Sequence, residues 1–295
     1  MKNLTLSILC AGLMTTSAIA EDICNGAFSA QNYEQSAQCY VKQLKKQPTY
    51  YNLLLTGISY GKMGRDKEAL VYLKKAEKKA VTPSDYATLS GWLSKTYGDL
   101  GDRVKELVYS MKYLNLSLQS QNNYDIGEAY SNLGVYYSNQ EDYKKALEYY
   151  KKALEYLTEQ ESGFIYNNMA VAYGNLGDNE NAEAMSKKAI NSAQQSGNIS
   201  SLINLQVNLG KFYYMQDRNT EARTILQEAC TNAHNNGIID NESNALSIIS
   251  VIDYHVGDKD KAKEEAKQAL FLAKQSGSTN AMSEANGALE IVNGN

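Results

Sequence analysis

Cys230 and His234 stand four residues apart, a spacing that puts two metal ligands on one face of a helix. His255 is the other histidine of the chain. No second cysteine and no carboxylate cluster completes a ligand set by spacing, so no metal is expected. An enzymatic reading would have to build its site from Cys230, His234 and His255. The chain holds no H-E-x-x-H, no G-x-S-x-G and no G-x-x-x-x-G-K-[ST]. No catalytic residue, cofactor or small-molecule substrate is therefore assigned, and an enzyme is not expected. A different chemistry recurs at Asn132, Asn168 and Asn208. Each side-chain amide offers a donor and an acceptor to a peptide backbone, whatever that peptide's sequence. Lys62, Lys95 and Lys211 could meet an acidic segment or a terminal carboxylate, although lysines of this kind are more often simply solvated.

The first twenty residues are set aside. Met1-Lys2-Asn3 is a short basic start, Leu4 to Thr15 is mainly apolar, and Ala18-Ile19-Ala20 precedes Glu21-Asp22. This pattern predicts a signal peptide over 1–20, cleaved after Ala20, and hence a periplasmic or secreted protein. A lipoprotein at Cys10 fits poorly, because Leu9 occupies the place of a small residue. The remaining apolar segments are too short to span a membrane. The chain from 21 to 295 keeps 28 basic and 33 acidic residues once Lys2 is gone, a net charge of −5. Mild acidity gives no footprint for nucleic acid. Cys24 and Cys39, in an oxidising compartment, are expected to form a disulfide that ties the first hairpin, worth about 3 kcal/mol in the chain-entropy model. The competing reading is two buried thiols. Cys230 is left over at an apolar position and reads as a buried thiol.

These residues sit in a repeating frame. Gly64, Gly101, Glu141, Gly177, Asp217 and Gly257 occupy the same place in successive units, at spacings of 37, 40, 36, 40 and 40. A residue there must end a helix in the left-handed conformation. Asp102, Asp142, Asp178 and Asp258 follow directly, placed to cap the next helix. Thr82-Pro83-Ser84-Asp85 is a further helix start. Seven residues before each anchor lies a small residue: Gly57, Ser94, Gly134, Ala170, Gly210 and Ser250. A tyrosine follows three places on at Tyr60, Tyr97, Tyr137, Tyr173 and Tyr213, expected to fill the space beside the small residue. The helix after the turn carries Ala69, Ala146, Ala182, Ala222 and Ala262, then an alanine seven later in each, an inward stripe at helical period. Only Pro48 and Pro83 occur, which suits an almost wholly helical chain, and no glycine-, serine- or proline-rich linker divides it.

The frame resembles the tetratricopeptide repeat (TPR) family. The run Ala129-Tyr130-Ser131-Asn132-Leu133-Gly134 through Tyr143, Ala146, Tyr150, Ala153 and Leu154 is nearly a consensus unit. The match covers about residues 24–292. The 40-residue units and tails such as Ala193-Gln194-Gln195-Ser196-Gly197 are similar to the family's longer-helix branch. The resemblance implies an all-α fold, a right-handed superhelical solenoid of antiparallel helix hairpins. Units are expected over about 21–49, 50–83, 84–122, 123–160, 161–198, 199–238 and 239–278, with a closing helix and tail over 279–295. Two units depart from the pattern. Glu106 and Tyr113 stand where alanines are expected, and Asp253 takes a tyrosine's place, with Tyr254 beside it.

By the family's pattern the first helix of each hairpin lines a concave groove. That groove should show Asn132, Asn168 and Asn208, with Val135, Val171, Lys211 and Lys95 close by. Tyr51, Trp92, Phe164 and Tyr214 fall on the same face as aromatic anchors, with packing against the next hairpin as the competing role. The expected partner is another protein or a peptide, with no nucleic acid and no membrane span. The leading expectation is an exported scaffold acting in bacterial envelope assembly, secretion or regulation. The alternative is an inhibitor or immunity protein that neutralises a secreted toxin or enzyme.

Overall fold

The computed structural model describes residues 23–294. The expected leader over 1–20 lies outside the described residues. The described chain is helical, with no strand. Its elements are α1 (23–29), α2 (Tyr33–Leu44), α3 (Tyr50–Lys62), α4 (Asp66–Glu77), α5 (Pro83–Asp99), α6 (Arg103–Ser120), α7 (Asn123–Asn139) and α8 (Tyr143–Leu154). There follow α9 (Gly163–Asn175), α10 (Asn179–Gln195), α11 (Ile199–Met215), α12 (Asn219–Asn235), α13 (Ile239–His255), α14 (Lys259–Ser276) and α15 (Thr279–Asn293). They form two compact units that divide between Tyr156 and Leu157. In the first, α3/α4, α5/α6 and α7/α8 pack as consecutive antiparallel hairpins. In the second, α9/α10, α11/α12 and α13/α14 do so, and α15 covers the last hairpin.

The turns explain the spacing. All six anchors have positive φ: Gly64 at 70°, Gly101 at 78°, Glu141 at 60°, Gly177 at 77°, Asp217 at 59° and Gly257 at 99°. The left-handed conformation costs a residue with a Cβ about 1–2 kcal/mol, so Glu141 is held there by the hairpin around it. Replacing Glu141 with glycine should raise stability by about 0.5 kcal/mol, since the released strain slightly exceeds glycine's added chain entropy. Denaturation of the variant beside the parent measures this. Asp102, Asp142 and Asp178 cap α6, α8 and α10 by accepting from the third backbone N–H of each helix. Asp258 makes no such bond to α14, so the cap expected there is absent. Thr82 and Asp85 form a reciprocal capping box, with Pro83 in the first turn of α5.

Packing within hairpins follows a small-against-large rule, but not with the partner expected from the sequence. A Cβ on Gly134 would lie 2.5 Å from Tyr150 Cδ1, one on Gly210 2.5 Å from Leu226 Cγ, and one on Gly57 2.8 Å from Leu73 Cγ. The large residue is thus on the second helix, one turn beyond the first alanine. The tyrosine three places after the small residue does something else. Tyr60, Tyr97 and Tyr137 stack on Tyr72, Tyr109 and Tyr149 at 5.5, 5.5 and 5.2 Å between ring centres. Arg65, Lys105 and Lys145, from the start of the second helix, cover these same rings at 4.8, 5.0 and 4.1 Å. Each such contact contributes about 0.5–1 kcal/mol at an exposed site.

The two departures from the frame are accommodated locally. Glu106 is buried against Gly98, where a Cβ would meet its Oε1 at 2.7 Å, and Arg103 donates to it at 2.7 Å. Tyr113 similarly lies over Gly91. Glycines on α5 therefore compensate for large side chains on α6. Asp253 is buried on α13 and accepts from Arg223 Nε of α12 at 2.8 Å and from Lys261 Nζ of α14 at 2.6 Å. An ionic tie across three helices stands in place of a ring stack. Burial pushes the Asp253 carboxyl up, and the two cations outweigh that and hold it below the usual carboxylate range.

A second ionic tie links the middle of the second unit. Glu183 of α10 accepts from Arg218 Nη1 at 2.5 Å, from Lys187 at 2.7 Å and from the Tyr213 hydroxyl at 2.9 Å. Arg218 foremost pulls its carboxyl down from 4.5 to about 2. A depressed acid stabilises the fold above its unfolded value and loses that contribution as pH falls through its folded one. Glu183→Gln should therefore weaken the acid sensitivity of the second unit between pH 4.5 and about 2. Hydrogen exchange of α10–α12 across that window reads the effect.

Candidate functional site

The first helices α9 and α11 face each other across a cleft, with α10 as its floor. Phe164, Asn167, Val171 and Gly174 recur at helical period along α9, and Ser201, Asn204, Asn208, Phe212 and Met215 do so along α11. The cleft has two lobes, of about 330 and 540 Å³. Asn167 and Asn208 line both lobes and so join them. The floor is made of small residues of α10: Ala182, Ser186, Ser192 and Ala193. Small side chains here keep the cleft deep, and Ser192 is fixed by donating to the carbonyls of Glu159 and Gln160.

The walls combine exposed apolar groups with side-chain amides. Phe164 is 44% exposed, Val171 52% and Met215 83%. Side-chain amides come from Asn167, Asn175, Asn208 and Gln216 around the larger lobe. Glu161 at one end is the only carboxylate of the two linings, and neither contains a lysine or arginine. The lined face of α11 runs from Ser201 to Met215, about 21 Å at 1.5 Å per residue. That accommodates roughly six extended residues at 3.3 Å each. An uncharged wall of amides beside apolar pockets suits a peptide backbone with apolar side chains.

The structure brings together three of the residues marked by the sequence, Phe164, Val171 and Asn208. Asn168 is half-buried and lines neither lobe. Lys211 pairs weakly with Glu284 of α15 at 3.4 Å. Tyr214 is half-buried, and its hydroxyl bonds His255 Nδ1 at 2.8 Å. In the first unit Asn132 and Val135 are half-buried on α7. Lys95 pairs with Asp99 at 2.7 Å. Trp92 packs against the core that contains Leu53, Leu89 and Leu93, with Lys62 over its ring. Tyr51 is 45% exposed and donates to Asn25 at 3.3 Å. Sequence reasoning missed Asn167, Asn204, Phe212 and Met215. Asn167 completes the helical face that Phe164 and Val171 define, a signal the spacing did carry.

The residues considered for chemistry lie apart from this cleft. Burial pushes the Cys230 thiol up to about 11, so it is a poor nucleophile. His234 Nδ1 is 3.0 Å from Glu242 Oε1, and His255 is engaged by Tyr214. Cys24 and Cys39 are joined in a disulfide between α1 and α2. Among the described residues no helix is long and apolar enough to cross a membrane.

Comparison with known proteins matches the tetratricopeptide repeat at residues 127–156 and 161–235. A search of curated proteins gave no match. A signal-transduction ATPase with a tetratricopeptide repeat sensor from Pyrococcus horikoshii is 19% identical, with a TM-score of 0.70 over 88% of this chain and 42% of that one. The Cut9–Hcn1 complex of the APC/C gives 15% identity and a TM-score of 0.64 over 90% of this chain and 48% of its own. Aspartyl phosphate phosphatase F from Bacillus subtilis gives 16% identity and a TM-score of 0.64 over 94% of this chain and 79% of that one. The chain thus spans less than half the length of the first two, and at these identities the likeness is one of fold.

Proposed function

The chain is a tetratricopeptide-repeat protein, and from that premise we propose that it is a non-enzymatic scaffold that grips an extended segment of a partner protein. The observation that carries this reading is the α9/α11 cleft, where Asn167 and Asn208 join two lobes walled by Phe164, Val171 and Met215. Side-chain amides pair with the backbone of the segment, and the exposed apolar groups take its side chains. Binding that rests on backbone amides tolerates varied sequences, and the apolar lobes set the preference. In the Pyrococcus horikoshii protein the repeat is a sensor.

Export to the periplasm or beyond is part of the proposal and is supported by the sequence over 1–20 alone. A role in envelope assembly, secretion or regulation follows from that location. The test is capture of partners from an envelope extract by the parent protein and by a triple variant, Phe164→Ala, Asn167→Ala and Asn208→Ala. None of the three is a core residue, so the helical signal should persist. The expected outcome is loss of captured partners at unchanged helicity. Undiminished capture by the folded variant would sink the proposal.

A further inference from the structure

The second helices of the hairpins turn their outer faces to solvent, and on most of them that face is polar. Counted from each turn, the same three outward places hold Lys67, Val71 and Lys74 on α4, Lys144, Glu148 and Lys151 on α8, and Glu180, Ala184 and Lys187 on α10. They hold Thr220, Thr224 and Gln227 on α12, and Asp260, Glu264 and Lys267 on α14. On α6 they hold Val104, Val108 and Met111. These are 75, 57 and 59% exposed, and Leu118 farther along is 44% exposed. Their cost in water has no return within the first unit, because the inward face of α6 is a different one, made by Glu106, Ser110, Tyr113 and Ser117.

The spacing of this stripe is specific. Val104, Val108, Met111, Asn115 and Leu118 alternate steps of four and three, the heptad seam of a two-stranded coiled coil. Val104, Met111 and Leu118 take the d places, and Val108 and Asn115 the a places. Asn115 is exposed, as the others are. At 18 residues α6 is long enough to carry the whole seam, whereas α10, α12 and α14, at 17, 17 and 18 residues, reach the same length with polar outer faces.

We propose that α6 pairs in parallel and in register with α6 of a second copy of this chain. Two features select a second copy over another apolar partner. A single asparagine at an a place is satisfied by its own twin, each amide donating to and accepting from the other, and in a register that pairs it with hydrocarbon it is left unbonded. Charge selects the parallel arrangement. The e places are Lys105, Lys112 and Gln119, and the g places are Leu107 and Leu114. A parallel pair sets the Lys112 stem beside Leu107 and Gln119 beside Leu114, whereas an antiparallel pair sets lysine against lysine. Both ammonium groups are already drawn aside, Lys105 to Asp102 at 2.7 Å and Lys112 over the Tyr86 ring at 5.2 Å. Two heptads make a seam below the size of a standard interface, so the dimer is weak and depends on concentration.

Sedimentation of the full chain across micromolar to near-millimolar concentrations tests the pairing. The expected result is a reversible dimer, weakened at least about tenfold by Val108→Glu with Met111→Glu. Both positions are exposed, so the double variant should keep its fold, which circular dichroism checks. Under mild oxidation Asn115→Cys should cross-link to itself, because parallel in-register pairing puts the two thiols together. A monomer at every concentration overturns the proposal, as does a dimer that the two glutamates leave intact. Cross-linking of Val104→Cys with Leu118→Cys in a mixture of the two proteins, without self-linking at 115, overturns it in favour of an antiparallel pair.

Discussion

Gly134→Ala should destabilise the first unit although it puts a better helix former inside α7. Alanine is favoured over glycine there by about 1 kcal/mol. Against this, the new Cβ would stand 2.5 Å from Cδ1 and 3.0 Å from Cζ of Tyr150. Tyr150 is 1% exposed, so its ring has nowhere to swing without moving the hairpin. Overpacking of this kind costs about 1–3 kcal/mol, and a rigid buried ring puts the site at the upper end, so the clash wins. Gly174→Ala is the matched comparison: Gly174 is helical in α9 with open space around its Cβ position, and its variant should gain stability. Shrinking the facing ring, as in Gly134→Ala with Tyr150→Val, should recover part of the loss. Thermal melts of the parent, both glycine variants, Tyr150→Val alone and the double variant give the comparison. Equal effects at Gly134 and Gly174 would mean that helix propensity alone governs both.

Loss of the Cys24–Cys39 disulfide should release the N-terminal hairpin. The bond spans 15 residues, and closing a loop of that size is worth about 3 kcal/mol. Otherwise the hairpin is held by packing on α3: Cys24 and Tyr40 enter the core with Leu53, Leu54 and Ile58, Phe28 and Leu44 pack against it, and Ser36 shares a buried hydroxyl bond with Ser59 at 2.9 Å. Repeat arrays open from their ends, so the loss should appear locally first. In Cys24→Ser with Cys39→Ser, amide exchange should accelerate across α1 and α2 by up to about a hundredfold for that free energy, while α5 to α7 change little. Unchanged exchange at α2 would show that packing on α3 suffices.

The parts of this fold that were legible in the sequence are those set by backbone need. A turn at fixed spacing demands a left-handed residue, and the demand is visible even where Glu141 and Asp217 meet it without glycine. Small positions, alanine stripes and the aspartate caps at Asp102, Asp142 and Asp178 follow from the same periodicity, while the one expected at Asp258 did not form. Contacts across a hairpin were less legible, because the two residues that touch are far apart in sequence. Tyr150 rather than Tyr137 fills the space over Gly134, and Gly98 makes room for Glu106. Both pairings depend on how two helices cross, which period alone does not give. The division between Tyr156 and Leu157 carries no glycine or proline signal and falls in the run of turns after α8.

At the candidate site, one step around the helix decided the outcome. Asn167 and Asn168 are neighbours in sequence and about 100° apart around α9, and only Asn167 reaches the cleft. Of the three lysines considered for an acidic segment, Lys62 lies over the Trp92 ring, Lys95 pairs with Asp99 one turn on, and Lys211 pairs weakly with Glu284. Only the last pairing is hidden from sequence, since its partner lies 73 residues away. Trp92 was drawn into packing for a related reason, since the core of the first unit offers its ring more contact than water does.

The most direct test of the central claim is photo-crosslinking in extract from a residue placed at Val171, in the wall of the α9/α11 cleft, beside the same residue placed at Gln227 on the outer side of α12. A partner protein should be captured from position 171, capture should fall when Phe164 and Asn208 are both alanine, and position 227 should capture nothing of the same mass. Capture of that partner from 227 and not from 171 would contradict the claim.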